Sequence, residues 1–213
     1  MRTNPPHYYK NYKSNLSRSP KKTIPVIKYN KEEISEQRIN VKNFKHKNNL
    51  LEFRKKKHPI GQKIIVYGQV TNLRGEGLKN IIIEIWQANA SGKYRDFNDK
   101  HDAPLDPYFQ GYGITLTDRN GKYKFFTIMP GAYPWQNHKN AWRPKHIHFS
   151  LLDTNFFSRL CTQMYFPDDI LLKNDPIFMA VPSKFRKKLI ARYNNEHNNT
   201  PNFITYNFDI TMP

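Results

Sequence analysis

Cysteine is almost absent: Cys161 is the only one in 213 residues. A lone thiol cannot close an internal disulfide, so the chain is not a disulfide scaffold and a cytoplasmic location is expected. Long apolar runs are also missing. No stretch approaches the roughly 18 residues of a membrane helix, so no membrane span is expected. The start, M-R-T-N-P-P-H-Y-Y-K, has no apolar core of a secretory signal. Acidic residues are scarce, at 17 Asp and Glu against 35 Lys and Arg, for a formal charge of +18. That excess is spread along the chain, beside abundant Asn and Ile, which share A/T-rich codons with Lys. Neither zinc-finger spacing nor an aromatic RNA-binding strand accompanies it, so nucleic-acid binding is not expected. A basic face that meets an acidic partner subunit, or attracts an acidic substrate, is the reading preferred.

Aromatics are what the chain has in quantity, with 14 Phe and 13 Tyr. Residues 1–58 are polar, Lys/Asn-rich and weakly periodic, and read as an N-terminal arm that packs on a partner or pocket. The composition shifts at His58 to Gly61, and residues 59–213 read as one β-sandwich domain. Ile64 to Val70, Ile81 to Gln87, Tyr123 to Ile128, His146 to Leu152, Thr162 to Phe166 and Tyr206 to Met212 have strand character. The turn D-R-N-G, Asp118 to Gly121, predicts a hairpin. Short strands joined by Gly/Pro/Asn turns predict an all-β, antiparallel sandwich. One short C-terminal helix is expected, capped by Ser183 and running through S-K-F-R-K-K-L-I-A-R-Y, with Phe185, Leu189 and Tyr193 near one face.

The most specific local feature is the pair His146 and His148 in W-R-P-K-H-I-H-F-S. On a strand, residues two apart share a face, so both imidazoles project together while Ile147 and Phe149 face the other way. Spacing alone leaves two readings open: a metal-ligand pair, or two ordinary histidines on a half-buried strand. Tyr94 in S-G-K-Y-R-D and Tyr133 in P-G-A-Y-P-W are turn-region aromatics that composition does not single out.

The run from Gly61 to Phe166 resembles the intradiol ring-cleavage dioxygenases. The likeness is carried by G-Q-K-I-I-V-Y-G-Q-V, E-I-W-Q-A-N-A-S-G-K-Y-R, A-P-L-D-P-Y-F-Q-G-Y-G, L-T-D-R-N-G-K-Y-K-F-F-T-I-M-P-G-A-Y-P-W, W-R-P-K-H-I-H-F-S and T-Q-M-Y-F. The arm segment Y-K-S-N-L-S-R-S-P and the terminal Y-N-F-D-I join it. Within the family the likeness is nearest to the iron-bearing beta chains that act on protocatechuate. One departure is Ile114, where the family favours a basic residue.

The resemblance implies a non-haem Fe(III) cofactor held by Tyr94, Tyr133, His146 and His148. Hard phenolate donors favour the ferric state. It implies that Arg143 stabilises charge on the substrate ring, that Tyr133 leaves the metal and takes a proton when substrate binds, and that Gln163 assists beside the ligand strands. Tyr12, Trp135 and Ile177 are implied to line the substrate pocket, and Trp86 to pack beside the ligand tyrosines. The expected reaction is cleavage of protocatechuate (3,4-dihydroxybenzoate) with O2 to 3-carboxy-cis,cis-muconate. The expected partner is an alpha chain of the same enzyme, similar in fold and lacking the ligands. The chain lacks the helical N-terminal domain of the catechol-type homodimers, which argues against catechol or hydroxyquinol as substrate. The other class of function weighed is a non-catalytic β-sandwich binding module, against which the four ligands and Arg143 stand together.

Overall fold

The computed structural model of the chain describes residues 46–53, 57–97, 99–134, 142–153, 159–194 and 200–212. They form two packed sheets. The first is built on β1 (Lys63–Thr71), whose sequence K-I-I-V-Y-G-Q-V-T is rich in β-branched residues. Against it lie β4 (Lys122–Ile128), antiparallel, and β10 (Phe203–Asn207) and β11 (Ile210–Thr211), both parallel. β9 (Arg192–Tyr193) extends this sheet beside β10. The second sheet has the order β3-β2-β7-β8 and is antiparallel throughout: β3 (Tyr112–Leu116), β2 (Ile82–Trp86), β7 (His146–Leu152) and β8 (Arg159–Tyr165). A two-stranded ribbon, β5 (Tyr133–Pro134) with β6 (Trp142–Arg143), stands apart from both.

The core fills the space between the sheets. Ile83, Ile85, Ile147, Phe149, Leu151, Leu160 and Met164 from the second sheet meet Ile64, Val66, Val70, Tyr123 and Phe125 from the first. Phe149 is central, with ring centroids 5.8 Å from Phe125 and 5.2 Å from Phe208. Residues 46–53 also join the body of the domain. Leu50 and Leu51 are buried in the core, and Lys47 exchanges backbone bonds with Ile114.

The all-β sandwich is as expected, with local differences that have physical causes. Asp118 to Gly121 does form a tight turn: the Asp118 carboxylate accepts from the Asn120 and Lys122 amides, both at 2.8 Å. It does not close a hairpin, because β3 pairs with β2 while β4 pairs with β1. The turn instead carries the chain from one sheet to the other. The expected strand Tyr206 to Met212 is broken at Phe208 and Asp209, so that β10 and β11 run beside different lengths of β1. The C-terminal helix is one turn, α2 (Ser183–Arg186), with Pro182 in the capping place and Ser183 already inside it. A 3-10 turn, Lys187–Leu189, follows. The chain then becomes extended because Ile190 bridges to Tyr165 and Ala191 N–H donates to the Tyr165 carbonyl. Leu189 is buried, but Tyr193 is exposed on β9, so the two share no helical face. A second short helix, α1 (Pro176–Met179), precedes it. Among the described residues no helix is long and apolar enough to cross a membrane.

Gly68 marks the tightest approach in the first sheet. A Cβ there would lie 2.0 Å from the Phe208 carbonyl oxygen and 2.6 Å from the Tyr123 hydroxyl, which itself donates to that carbonyl. A backbone oxygen cannot swing aside as a flexible side chain can. Gly68→Ala is therefore expected to destabilise the domain by at least the roughly 1–3 kcal/mol typical of overpacking. The urea midpoint measures this, and an unchanged midpoint would contradict the packing described.

Candidate metal centre

β7 occupies the middle of the second sheet, between β2 and β8. Its register puts His146 opposite Tyr165, and His148 opposite both Gln163 and Trp86. Ile147 and Phe149 point into the core between the sheets. His146, His148, Gln163, Tyr165 and Trp86 therefore share the outer face, as period-two alternation requires. That face is not solvated: His146 is 2% exposed, and His148 and Gln163 are fully buried. Trp86 lies flat on the His148 ring, with centroids 4.9 Å apart and planes 3° from parallel.

Two loops cover this face and bring in the tyrosines. The Tyr94 loop is folded by Asn89. Its side-chain carbonyl accepts from Ser91 N–H at 3.0 Å, the Ser91 hydroxyl at 2.7 Å and Lys93 N–H at 2.9 Å. Asp99 then accepts from the Tyr94 amide at 2.8 Å and fixes where that ring leaves the backbone. Tyr133 opens β5, directly opposite Arg143 on β6. The loops are in backbone contact: Gly131 N–H donates to the Asn89 carbonyl at 2.9 Å. Gly92 has φ of +79°, and a Cβ on it would meet the Ala132 carbonyl oxygen at 2.0 Å. Only glycine meets both conditions.

The result is a cluster of two phenols and two imidazoles. The Tyr94 hydroxyl lies 3.2 Å from Nε2 of His148 and 3.5 Å from Nε2 of His146. Tyr133 stands edge-on to Tyr94 at 5.3 Å and 5.5 Å from His146, centroid to centroid. All four side chains are at most 3% exposed. His146 Nδ1 bonds the Pro144 carbonyl at 2.6 Å, which holds the ring proton on Nδ1 and turns the Nε2 lone pair toward the cluster. That tautomer is the one a metal ligand needs. Counting only His, Cys, Asp and Glu, no group of three gathers among the described residues. A candidate four-donor set appears only with the phenols included, and such donor chemistry fits a hard trivalent ion.

Arg143 sits beside this cluster, buried completely. Its Nε and Nη2 donate to the two Asp175 carboxylate oxygens at 3.1 and 3.0 Å. Nη2 also donates to Gln163 Oε1 at 2.8 Å and meets the Tyr165 hydroxyl at 3.0 Å. Nη1 is turned toward the Tyr133 hydroxyl, 3.5 Å away. Burial alone works against its charge, but Tyr165, Tyr133 and Asp175 outweigh this and push its pKa above the ordinary arginine value. It is a permanent cation at any working pH.

The fold thus brings together Tyr94, Tyr133, His146, His148, Arg143 and Gln163, with Trp86 packed where expected. Ile177 lies on α1, buried against Tyr165 and Phe178. Tyr12 and Trp135 fall outside the described residues. Ile114 stands opposite Glu84 across the β2–β3 pair and packs on Ile82 and Leu152. Four supporting residues were missed from the sequence: Asn89, Asp99, Tyr165 and Asp175. Asp175 did carry a signal, since Asp followed by Pro marks a helix start. Asp99 carried none, because its partner is a backbone amide that only folding reveals.

The dioxygenase family matches residues 38–213. The protocatechuate 3,4-dioxygenase beta chain of Burkholderia cepacia is 51% identical over 154 residues, covering 72% of this chain and 66% of that one. The protocatechuate 3,4-dioxygenase alpha chain of Pseudomonas putida is 30% identical over 110 residues, 51% of each chain. This chain therefore spans only about half to two thirds of the length of these curated relatives. Among solved structures, an intradiol ring-cleavage dioxygenase from Tetranychus urticae superposes with a TM-score of 0.60 at 19% identity. The match covers 84% of this chain and 91% of that one, a likeness of fold. Sequence and architecture agree: the chain belongs to the intradiol ring-cleavage dioxygenase family.

Proposed function

We propose that this chain is the iron-bearing subunit of a non-haem Fe(III) dioxygenase that opens protocatechuate with O2 to 3-carboxy-cis,cis-muconate. The observation that carries the reading is the buried convergence of the Tyr94 and Tyr133 phenols on the His146 and His148 imidazoles, with the His146 tautomer already set for ligation. Those four residues would hold the metal. When bound, ferric iron supplies a Lewis-acidic centre that makes a catecholate reactive toward O2.

The other roles belong to the chain's own residues. Held as a phenolate ligand, Tyr133 Oη would be a base able to accept a catechol hydroxyl proton. Arg143 Nη1, turned to the same hydroxyl, favours negative charge there and on a neighbouring ring. Gln163 and Tyr165 hold the arginine by hydrogen bonds on the side away from Tyr133. Ile177 would offer the substrate an apolar wall, and a pocket role for Tyr12 and Trp135 rests on the family resemblance alone. Burial of the whole cluster keeps bulk water from the reacting ring.

We further propose that residues 59–213, with residues 46–53 packed into the same core, form the catalytic unit, and that the rest of residues 1–58 acts as an arm toward pocket and partner. The partner is an alpha chain of the same enzyme, and the likeness to both chain types of protocatechuate 3,4-dioxygenase supports it. A cytoplasmic site of action suits the lone, buried thiol of Cys161.

Purified with iron, alone and co-expressed with an alpha chain, the protein is expected to be reddish from phenolate-to-iron charge transfer. Anaerobic protocatechuate should shift the band, and oxygen should then yield the carboxymuconate, identified by mass. A colourless protein without stoichiometric iron in either preparation overturns the proposal. Product from catechol or hydroxyquinol but not from protocatechuate overturns the substrate alone.

Two variants probe the ligand cage. Tyr94→Phe should reduce iron affinity by more than the roughly 10–100-fold typical of outer-shell changes, and weaken the visible band. Gly92→Ala, which forces the Tyr94 and Tyr133 loops apart, should lower iron affinity by about 10–100-fold with circular dichroism unchanged. Competition with a chelator measures both, and wild-type affinity in either variant would contradict the assignment.

A further inference from the structure

Asp175 has no part in the reaction proposed above, yet its carboxylate is fully buried and unusually well used. Oδ1 accepts from Arg143 Nε at 3.1 Å and from Ile177 N–H at 3.3 Å. Oδ2 accepts from Arg143 Nη2 at 3.0 Å, the Tyr165 hydroxyl at 3.3 Å and Phe178 N–H at 3.4 Å. One carboxylate therefore clamps the guanidinium and caps α1, the helix that carries Ile177. Pro176 follows it, so the first helical position has no N–H to satisfy and the next two both turn to Asp175.

Guanidinium is a planar fork. Once one edge is held by both oxygens of a carboxylate, the direction of the remaining nitrogen is fixed. Here the held edge is Nε with Nη2, and the remaining nitrogen, Nη1, faces Tyr133. We infer that Asp175 is a positioning residue that locks the Arg143 guanidinium and the Ile177-bearing helix into one unit. The cation and the apolar wall of the pocket thereby keep a fixed spacing around the reacting ring. This inference rests on the ring-cleaving reading of the site.

Asparagine separates clamp from cap. It caps a helix as well as aspartate does. It cannot present two anionic oxygens, and its amide N–H group would oppose the arginine's own. In the iron-loaded protein with its alpha chain, Asp175→Asn is expected to keep the iron content, the phenolate charge-transfer band and the KM for protocatechuate. Its kcat should fall by about 10–100-fold. Asp175→Glu, which keeps the charge, should recover part of that loss. In an Arg143→Ala background, adding Asp175→Asn should lower kcat no further, because the residue acts through the arginine. Wild-type kcat in Asp175→Asn overturns the inference, and so does an equal loss in both backgrounds. Should Asp175→Asn not fold, Asp175→Glu decides in its place: wild-type kcat there overturns the inference, and a loss absent from the Arg143→Ala background supports it. A wild-type protein that does not cleave protocatechuate sinks the functional reading instead. Crystal structures of wild type and Asp175→Asn then decide the positioning role by themselves: a guanidinium in the same place overturns it, and a displaced one supports it.

Discussion

The register of β7 is the constraint on which the rest hangs. This strand is hydrogen-bonded on both edges, to β2 and to β8, and each of its residues is buried. Its alternation sends Ile147, Phe149 and Leu151 into the core and His146 and His148 to the outer face. A slip by one residue would put imidazoles into the hydrocarbon core and isoleucine and phenylalanine under the tyrosine loops. The apolar core therefore enforces the geometry of the polar cluster. The candidate metal-binding face is the reverse side of the packing that stabilises the domain.

A buried polar face needs partners, and the structure supplies them in layers. Imidazole Nδ1 of His146 is taken by a backbone carbonyl two residues earlier in the chain. Arg143 is matched by Asp175, with Gln163 and Tyr165 filling out the network. A buried ion pair is not a dependable source of stability, since desolvation offsets much of the attraction. Its value here is geometric: it sets the direction of a permanent cation that a surface arginine would leave free to wander. The loops obey the same economy. Asn89 and Asp99 satisfy backbone amides that would otherwise be stranded, and in doing so they set where Tyr94 stands.

Much of this was legible beforehand. The strands β1, β2, β4 and β7 were visible because runs of β-branched and aromatic residues have few alternatives. The H-x-H pair declared its shared face through period two alone. The tyrosines and Arg143 became legible only through resemblance, since a tyrosine in a glycine-rich turn has no local signature of ligation. Local signals misled where a distant strand intervened. The D-R-N-G turn is chemically a good turn, yet its flanking strands find other neighbours. The helix from Ser183 ends after one turn because Ile190 and Ala191 pair with Tyr165, a residue the local pattern could not foresee.

By itself the sequence determined the class of fold and the common face of His146 and His148. These follow from short-range periodicity and side-chain chemistry, which are written residue by residue. Tertiary structure alone decided that the face would be dry, that Gly92 and Gly131 would bring two loops into contact, and that Asp175 would hold Arg143. Each of these joins residues far apart in the chain. Such contacts arise only when the sheets have packed and the loops have been folded over them.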